Sequence, residues 1–248
     1  MRRSSLVVLL FVAACKTTPP PPPPPEIDFR QELRPYGQWL VVAPYGKVWA
    51  PSPDIVGKNF TPYLSEGQWF YDPKKGWSFD ANYKFADLVF HHGRWVHVQS
   101  LDWLWVEDKE WGPAWVQWKT GSEYVGWAPL PPKVSGQPDA IPDFVYVKAR
   151  TFAQPEIEKF RLGGDEVGHA TDQTKPLVPA AGAPPGPPIE LIVAERGVEK
   201  DAKGVYHAAE LPPATPPAVE AAPAPEPEPE PAPPPPTKKK KKKKSKTN

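Results

Sequence analysis

The sequence predicts an all-β domain: an antiparallel meander of about eight short strands forming a small barrel or sandwich, flanked by Pro-rich segments expected to be disordered. Three observations predict it. All eleven tryptophans of the 248 residues fall between Trp39 and Trp127. Inside that run Gly-polar-Trp recurs as Gly37-Gln38-Trp39, Gly67-Gln68-Trp69 and Gly93-Arg94-Trp95, 30 and 26 residues apart, the mark of a repeated unit. Between these openings, short aromatic and β-branched runs alternate with Pro, Gly and Asp, as strands and tight turns require.

Taken in order, residues 1–14 read as an export signal. Arg2 and Arg3 give the charged start, Leu6 to Val12 the apolar stretch and Ala13-Ala14 the small residues before a cleavage point. Val12-Ala13-Ala14-Cys15 resembles the bacterial lipobox, which implies that Cys15, the only cysteine, is lipidated and becomes the new N-terminus. The competing reading is an ordinary secretory signal that happens to contain a cysteine. Lys16 after the cysteine implies, by the same resemblance, sorting to the outer membrane. Residues 15–25 end in seven prolines, Pro19 to Pro25, an extended spacer of roughly 20 Å at ~3.1 Å per residue.

Residues 26–165 form the expected domain. Trp39–Val42 and Val48–Pro51 flank Pro44-Tyr45-Gly46; Trp69–Tyr71 and Trp77–Phe79 flank Asp72–Gly76; Trp95–Val98 and Trp103–Val106 flank Gln99–Asp102. Each pair reads as a hairpin. Trp115–Trp118 and Tyr124–Trp127 make a fourth, with Lys119–Ser122 as its turn. In Trp103-Leu104-Trp105-Val106 alternation places both indoles on one face and both aliphatics on the other. Indoles bury up to ~250 Å² each, enough for a few of them to fill the core of a small domain.

The order Tyr36–Trp39, Tyr45–Pro51, Gly67–Trp69, Gly76-Trp77, His92–Trp95, Trp111–Val116 and Gly126–Pro132 resembles an exported bacterial Gly/Trp-repeat family with a domain of unknown function, family 6600. The resemblance covers about 100 residues and implies no catalytic residue. Leu101-Asp102 stands where the family pattern has Tyr-Gly, so the third turn is expected to be longer or bulged.

Phe144–Val147 alternates like one further strand, and Pro155–Leu162 suits a short helix ended by Gly163-Gly164. Residues 166–210 read as linker with weak strands at Ile189–Val193 and Gly204–His207. Residues 211–237 are almost entirely Pro, Ala and Glu and cannot bury a core. Residues 238–248 carry Lys238, Lys239, Lys240, Lys241, Lys242, Lys243, Lys244 and Lys246. The formal charge of +1 hides this asymmetry: without Arg2, Arg3 and those eight lysines, residues 15–237 carry −9.

Candidate sites follow from these parts. The indole array could stack on sugar rings, but its spacing follows the hairpins, which assigns most indoles to the core; Trp111 and Trp118, which the hairpin pattern does not require, are the expected ligand-binding residues. The lysine tail is the expected polyanion contact, against the plainer reading of a solvated tail, and such contact would be sequence-blind, so no specific nucleic acid is expected. His91, His92 and His97 are not expected to bind metal, because a strand would turn His91 and His92 to opposite faces. Glu107-Asp108-Lys109-Glu110 could hold a glycosidase carboxylate but lacks an evident partner. No cofactor and no enzymatic activity are expected. The sequence reads as a membrane-anchored envelope lipoprotein acting as a structural or protein-interaction module. The alternative is a glycan or anionic-polymer binder; a glycan hydrolase is more remote.

Overall fold

In the computed structural model, which describes residues 26–135, 143–178 and 185–211, the three Gly-polar-Trp units are hairpins of one design. They are β1 (Gly37–Val42) with β2 (Gly46–Pro51), β3 (Gly67–Asp72) with β4 (Gly76–Ala81), and β5 (Arg94–Val98) with β6 (Asp102–Val106). Each closes across three residues, pairing Val42 with Gly46, Asp72 with Gly76 and Val98 with Asp102. The returning residue is left-handed in all three, with φ of 75° at Gly46, 90° at Gly76 and 63° at Asp102. The third turn is therefore no longer than the others; Asp102 takes the glycine's place because a short polar side chain tolerates that conformation.

The register explains the repeated glycine. Trp39 faces Trp49, Trp69 faces Phe79 and Trp95 faces Trp105 across the hairpins. Two residues before each first-strand Trp, a Cβ would collide with the diagonal aromatic: 2.7 Å from Trp49 Nε1 at Gly37, 2.2 Å from Phe79 Cζ at Gly67 and 2.4 Å from Trp105 Cε2 at Gly93. Diagonal neighbours in an antiparallel pair lie within reach of large rings, so the bare glycine is the ring's seat.

A fourth hairpin joins β7 (Val116–Thr120) to β8 (Tyr124–Pro129), pairing Trp118 with Trp127. Strands β9 (Val145–Lys148), β10 (Lys175–Pro176), β11 (Val198–Lys200) and β12 (Tyr206–Ala208) follow. Among the described residues the strands form three four-stranded antiparallel sheets, ordered β1-β2-β6-β5, β10-β7-β8-β9 and β11-β12-β3-β4. The domain is all-β as expected, and none of the sheets closes into a barrel. Hairpins one and three join where Trp49 pairs with Trp105. The expected single meander is divided because helical segments, α2 (Pro53–Val56) and α3 (Ala86–His91), separate the hairpins.

Trp49, Trp69, Trp77, Trp95, Trp105 and Trp127 are fully buried together with Tyr63, Phe79, Phe90 and Phe152. Buried indole N–H groups need acceptors, and five find them in connecting segments. Trp49 donates to Leu33 O at 3.1 Å, Trp95 to Val89 O at 3.0 Å, Trp105 to His92 O at 2.9 Å, Trp127 to Tyr63 O at 2.9 Å and Trp77 to Pro187 O at 2.8 Å. Each ring thus latches a hairpin to a connection. Leu33 itself closes α1 (Phe29–Leu33), whose N-terminus is capped by Asp28 Oδ1, accepting from Arg30 N and Gln31 N at 3.1 Å each.

The domain continues past the expected boundary at residue 165. Helices α4 (Asp165–Gln173) and α5 (Ile189–Ala194) occupy the presumed linker. Lys175 pairs with Thr120, Tyr206 pairs with Tyr71, and Ile192 and Val198 join the main core. Ile189–Val193, expected as a weak strand, is helical: a short apolar run suits either state, and the preceding Pro187-Pro188 favours a helix start. The expected Pro155–Leu162 helix contracts to one 3₁₀ turn, Ile157–Phe160, behind Glu156 at φ 52°. Gly163-Gly164, expected to end that helix, leads directly into α4, with Gly164 at its N-cap.

The signal segment, Cys15, the proline spacer, the Pro/Ala/Glu stretch beyond Leu211 and the lysines Lys238 to Lys246 lie outside the described residues. Among the described residues no helix is long and apolar enough to cross a membrane.

Candidate ligand clefts on strand β7

Alternation along β7 decides what this part of the surface presents. Val116 and Trp118 point into the core, while Trp115, Gln117 and Lys119 stand on the other face. Trp118 is only 4% exposed, with its ring 4.8 Å from Trp69 and 5.8 Å from Phe152. The expectation of a ligand-binding Trp118 fails because this indole fills the cross-strand core place that Trp39, Trp69 and Trp95 fill in the other hairpins. Trp111 is 47% exposed, 5.5 Å from the His91 ring and 5.2 Å from Lys75 Nζ. It lines neither cleft described below, so the two expected residues form no common site.

Two clefts meet at Gln117. The first, about 680 Å³, is walled by Arg94, Trp115, Glu110 and the Leu130–Lys133 segment. The Arg94 guanidinium lies 3.4 Å from the Trp115 ring centre, donates to Gly93 O at 2.8 Å and has Glu110 3.9 Å away. Burial pulls the Arg94 pKa below its usual value, opposed by Asp108, Tyr63 and Glu110. Trp115 is fixed from behind: its indole donates to His91 O at 3.0 Å and its backbone N–H to the Tyr63 hydroxyl at 3.2 Å. Tyr63 in turn donates to Phe90 O at 3.1 Å, and burial raises its pKa far above normal. This end is mixed in charge and rigid.

The second cleft, about 650 Å³, is lined by Lys119, Tyr146, Arg161 and Phe144, with Leu162 and Val167 closing its apolar side. Lys119 Nζ donates to the Tyr146 hydroxyl at 3.3 Å and lies 4.3 Å from the Phe144 ring centre. Tyr146 rests on Gly126, where a Cβ would come within 2.5 Å of its ring. Between the clefts, Gln117 Oε1 is buried and has no hydrogen-bond partner among the described residues.

Residues 30–134 match the model of a family of unknown function (DUF6600). This segment is a DUF6600 domain. No curated protein and no solved structure matches the chain. The DUF6600 segment contains all four hairpins and the first cleft, whereas Phe144, Tyr146 and Arg161 of the second lie beyond it.

The histidines of the DUF6600 segment serve its loops. His91 ends α3 instead of sitting in a strand; its Nδ1 is 3.1 Å from Gly112 O, and His92 Nδ1 is 3.2 Å from Lys109 O. His97 faces Asp102 at 3.4 Å across the third turn. Among the described residues no group of three or more His, Cys, Asp or Glu is placed to hold a metal ion. Asp108 Oδ1 accepts from Glu110 N at 2.9 Å, shaping the acidic 107–110 loop into one rim of the first cleft.

Sequence reasoning missed Arg94, Trp115, Gln117, Lys119, Tyr146 and Arg161 as cleft residues. One signal was legible: the third Gly-polar-Trp unit carries Arg94 where the others carry Gln38 and Gln68. Lys119, expected in a turn, is the outward residue of a strand that runs on to Thr120, and Gly121 N bonds Tyr124 O at 3.0 Å to close a tighter turn.

Proposed function

We propose that the chain is a membrane-anchored lipoprotein of the cell envelope, held to the outer membrane through lipid on Cys15, and that its β domain is a non-enzymatic interaction module. One observation carries the binding role: β7 spends its inward residues on the core and sets Gln117 and Lys119, with Trp115 just before the strand, along two clefts. The anchor is supported by the only cysteine falling at the end of an export-like leader. Fractionation of cells expressing Cys15→Ala tests the anchor: the variant should leave the membrane pellet and lose acyl label. A variant still pelleted and labelled would refute it.

The second reading, a glycan or anionic-polymer binder, is favoured by the donors of Lys119, Tyr146 and Arg161 converging on one cleft, with the lysine tail as a separate, salt-sensitive contact. Removal of Lys238 to Lys246 should weaken envelope association at low salt only; an unchanged salt profile would exclude the tail.

A further inference from the structure

We propose that the second cleft is a built site for an acidic sugar unit, one carrying both a carboxylate or phosphate and a free hydroxyl; this deepens the glycan and anionic-polymer reading. Two of its donors, Lys119 and Tyr146, are held in place, and Arg161 lines the same cleft. Lys119 commits one N–H to Tyr146 and keeps two, held in place by that bond and by the Phe144 ring. Because the Tyr146 oxygen accepts from Lys119, its own O–H proton is free to donate, and Tyr146 is only 3% exposed. Neither Lys119 nor Arg161 has an ion-pair partner among the described residues, and Asp143 is the only carboxylate in the lining. Two cations against one exposed acid favour an anion, and charge-assisted bonds to an oxyanion are the strong ones.

Gln117 narrows the ligand. A buried carbonyl oxygen without a donor is costly, and a bare anion offers it nothing. A ligand hydroxyl beside the anionic group does. The apolar side, Phe144, Leu162, Val167 and Pro176, suits the C–H face of a sugar ring, and about 650 Å³ accommodates one or two such rings. The neighbouring first cleft sets Glu107, Asp108 and Glu110 against Arg94 and Lys133, whereas the second sets Lys119 and Arg161 against Asp143 alone, so the ligand's charged end is directed toward Lys119.

Calorimetric titration of the full chain with a hexuronic acid dimer, a hexose phosphate, the matching neutral dimer and inorganic phosphate tests the site. The uronate or the hexose phosphate should bind, and the tighter of the two identifies the anionic group; the neutral dimer should not. Lys119→Gln and Arg161→Gln should each weaken binding about tenfold, the scale of one charge-assisted bond, with unchanged melting temperature. Gln117→Leu should reduce the preference for hexose phosphate over inorganic phosphate. A chain ending at Thr237 should bind as the full chain does, and loss of binding in it would overturn the proposal by assigning the anion to the tail. Binding unaffected by both Lys119→Gln and Arg161→Gln, or binding of neither acidic sugar, would also overturn it. Should the neutral dimer bind and the acidic sugars not, glycan recognition stands and the anionic site falls.

Discussion

Gly67→Ala tests the claim that each repeat glycine is a seat for an aromatic ring. The added Cβ would lie 2.2 Å from Phe79 Cζ, 2.7 Å from Phe79 Cε1 and 2.6 Å from the backbone oxygen of Asp80. Phe79 cannot retreat, because its ring centre is already 5.0 Å from Phe90, 5.1 Å from Trp69 and 5.7 Å from Tyr63. Overpacking a close-packed core costs about 1–3 kcal/mol, and the contact with a backbone oxygen forces the strand itself to shift. The ceiling is about 3–5 kcal/mol, the cost of losing a buried Phe altogether. A loss of about 2–4 kcal/mol is therefore expected, a large share of the ~5–15 kcal/mol typical of a domain. Gly163→Ala is the control: nothing lies within 4 Å of its added Cβ, so it should be neutral or stabilise by up to about 1 kcal/mol through the unfolded chain. Urea titration followed by tryptophan emission reads both as midpoint shifts at constant slope. A Gly67→Ala variant within about 0.5 kcal/mol of Gly163→Ala would refute the ring-seat explanation.

Trp127→Phe removes the indole donor and strands Tyr63 O; a buried unpaired acceptor costs about 1–3 kcal/mol, and the same titration should show at least that loss. Asp102→Gly should stabilise by about 0.5–1 kcal/mol, since glycine removes left-handed strain at a small entropic cost, while the exposed His97–Asp102 pair contributes little; destabilisation would mean that the aspartate side chain itself holds the turn. Burial lowers the His91 pKa below 6.5, opposed by its bond to Gly112 and by Asp87. Below pH 6.5 the unfolded chain then binds a proton that the folded chain refuses, so stability present above that pH declines as pH falls toward the depressed value. Unfolding free energies measured from pH 7.5 downward should fall in this window, and His91→Gln should flatten that part of the curve.

The hairpins were legible because their signals are local. Each turn is marked by Pro, Gly or Asp within a few residues, and the 2-residue alternation of Trp103-Leu104-Trp105-Val106 survives folding unchanged, with Trp105 in the main core and Leu104 in a separate aliphatic cluster. The assignment of hairpins to sheets was not legible, since the Trp49–Trp105 pairing joins segments 56 positions apart and leaves no sequence period. Residues 166–210 read as linker for a related reason: β12 has only three residues and acquires its place from Tyr71, and Ile192 from a core already built by the tryptophans. The clefts failed to appear because their residues come from Arg94, β7, β9 and the turn before α4. Trp118 misled because the fourth hairpin lacks the Gly-polar-Trp opening, although its ring holds the same cross-strand position as Trp39, Trp69 and Trp95.

The division of labour on β7 follows from that geometry. Substituting an inward residue such as Trp118 disturbs Trp69, Trp127 and Phe152 together, because all four rings touch. Its outward neighbours Gln117 and Lys119 have no such dependents; among the described residues the carbonyl oxygen of Gln117 is unpartnered and the Lys119 ammonium hydrogen-bonds Tyr146 and lies against the Phe144 ring. Changes at 117 and 119 can therefore alter what the surface binds while costing little stability, typically within about 0.5 kcal/mol for such positions, whereas changes at 116 and 118 test the fold. Lys119→Gln and Trp118→Ala, one residue apart, should separate the two: the first should change anion binding at an unchanged urea midpoint. The second should lower the midpoint by about 3–5 kcal/mol equivalent, the cost of emptying a buried tryptophan site. Equal stability losses in both would mean that the outward row also supports the core, and that the clefts are packing defects between sheets.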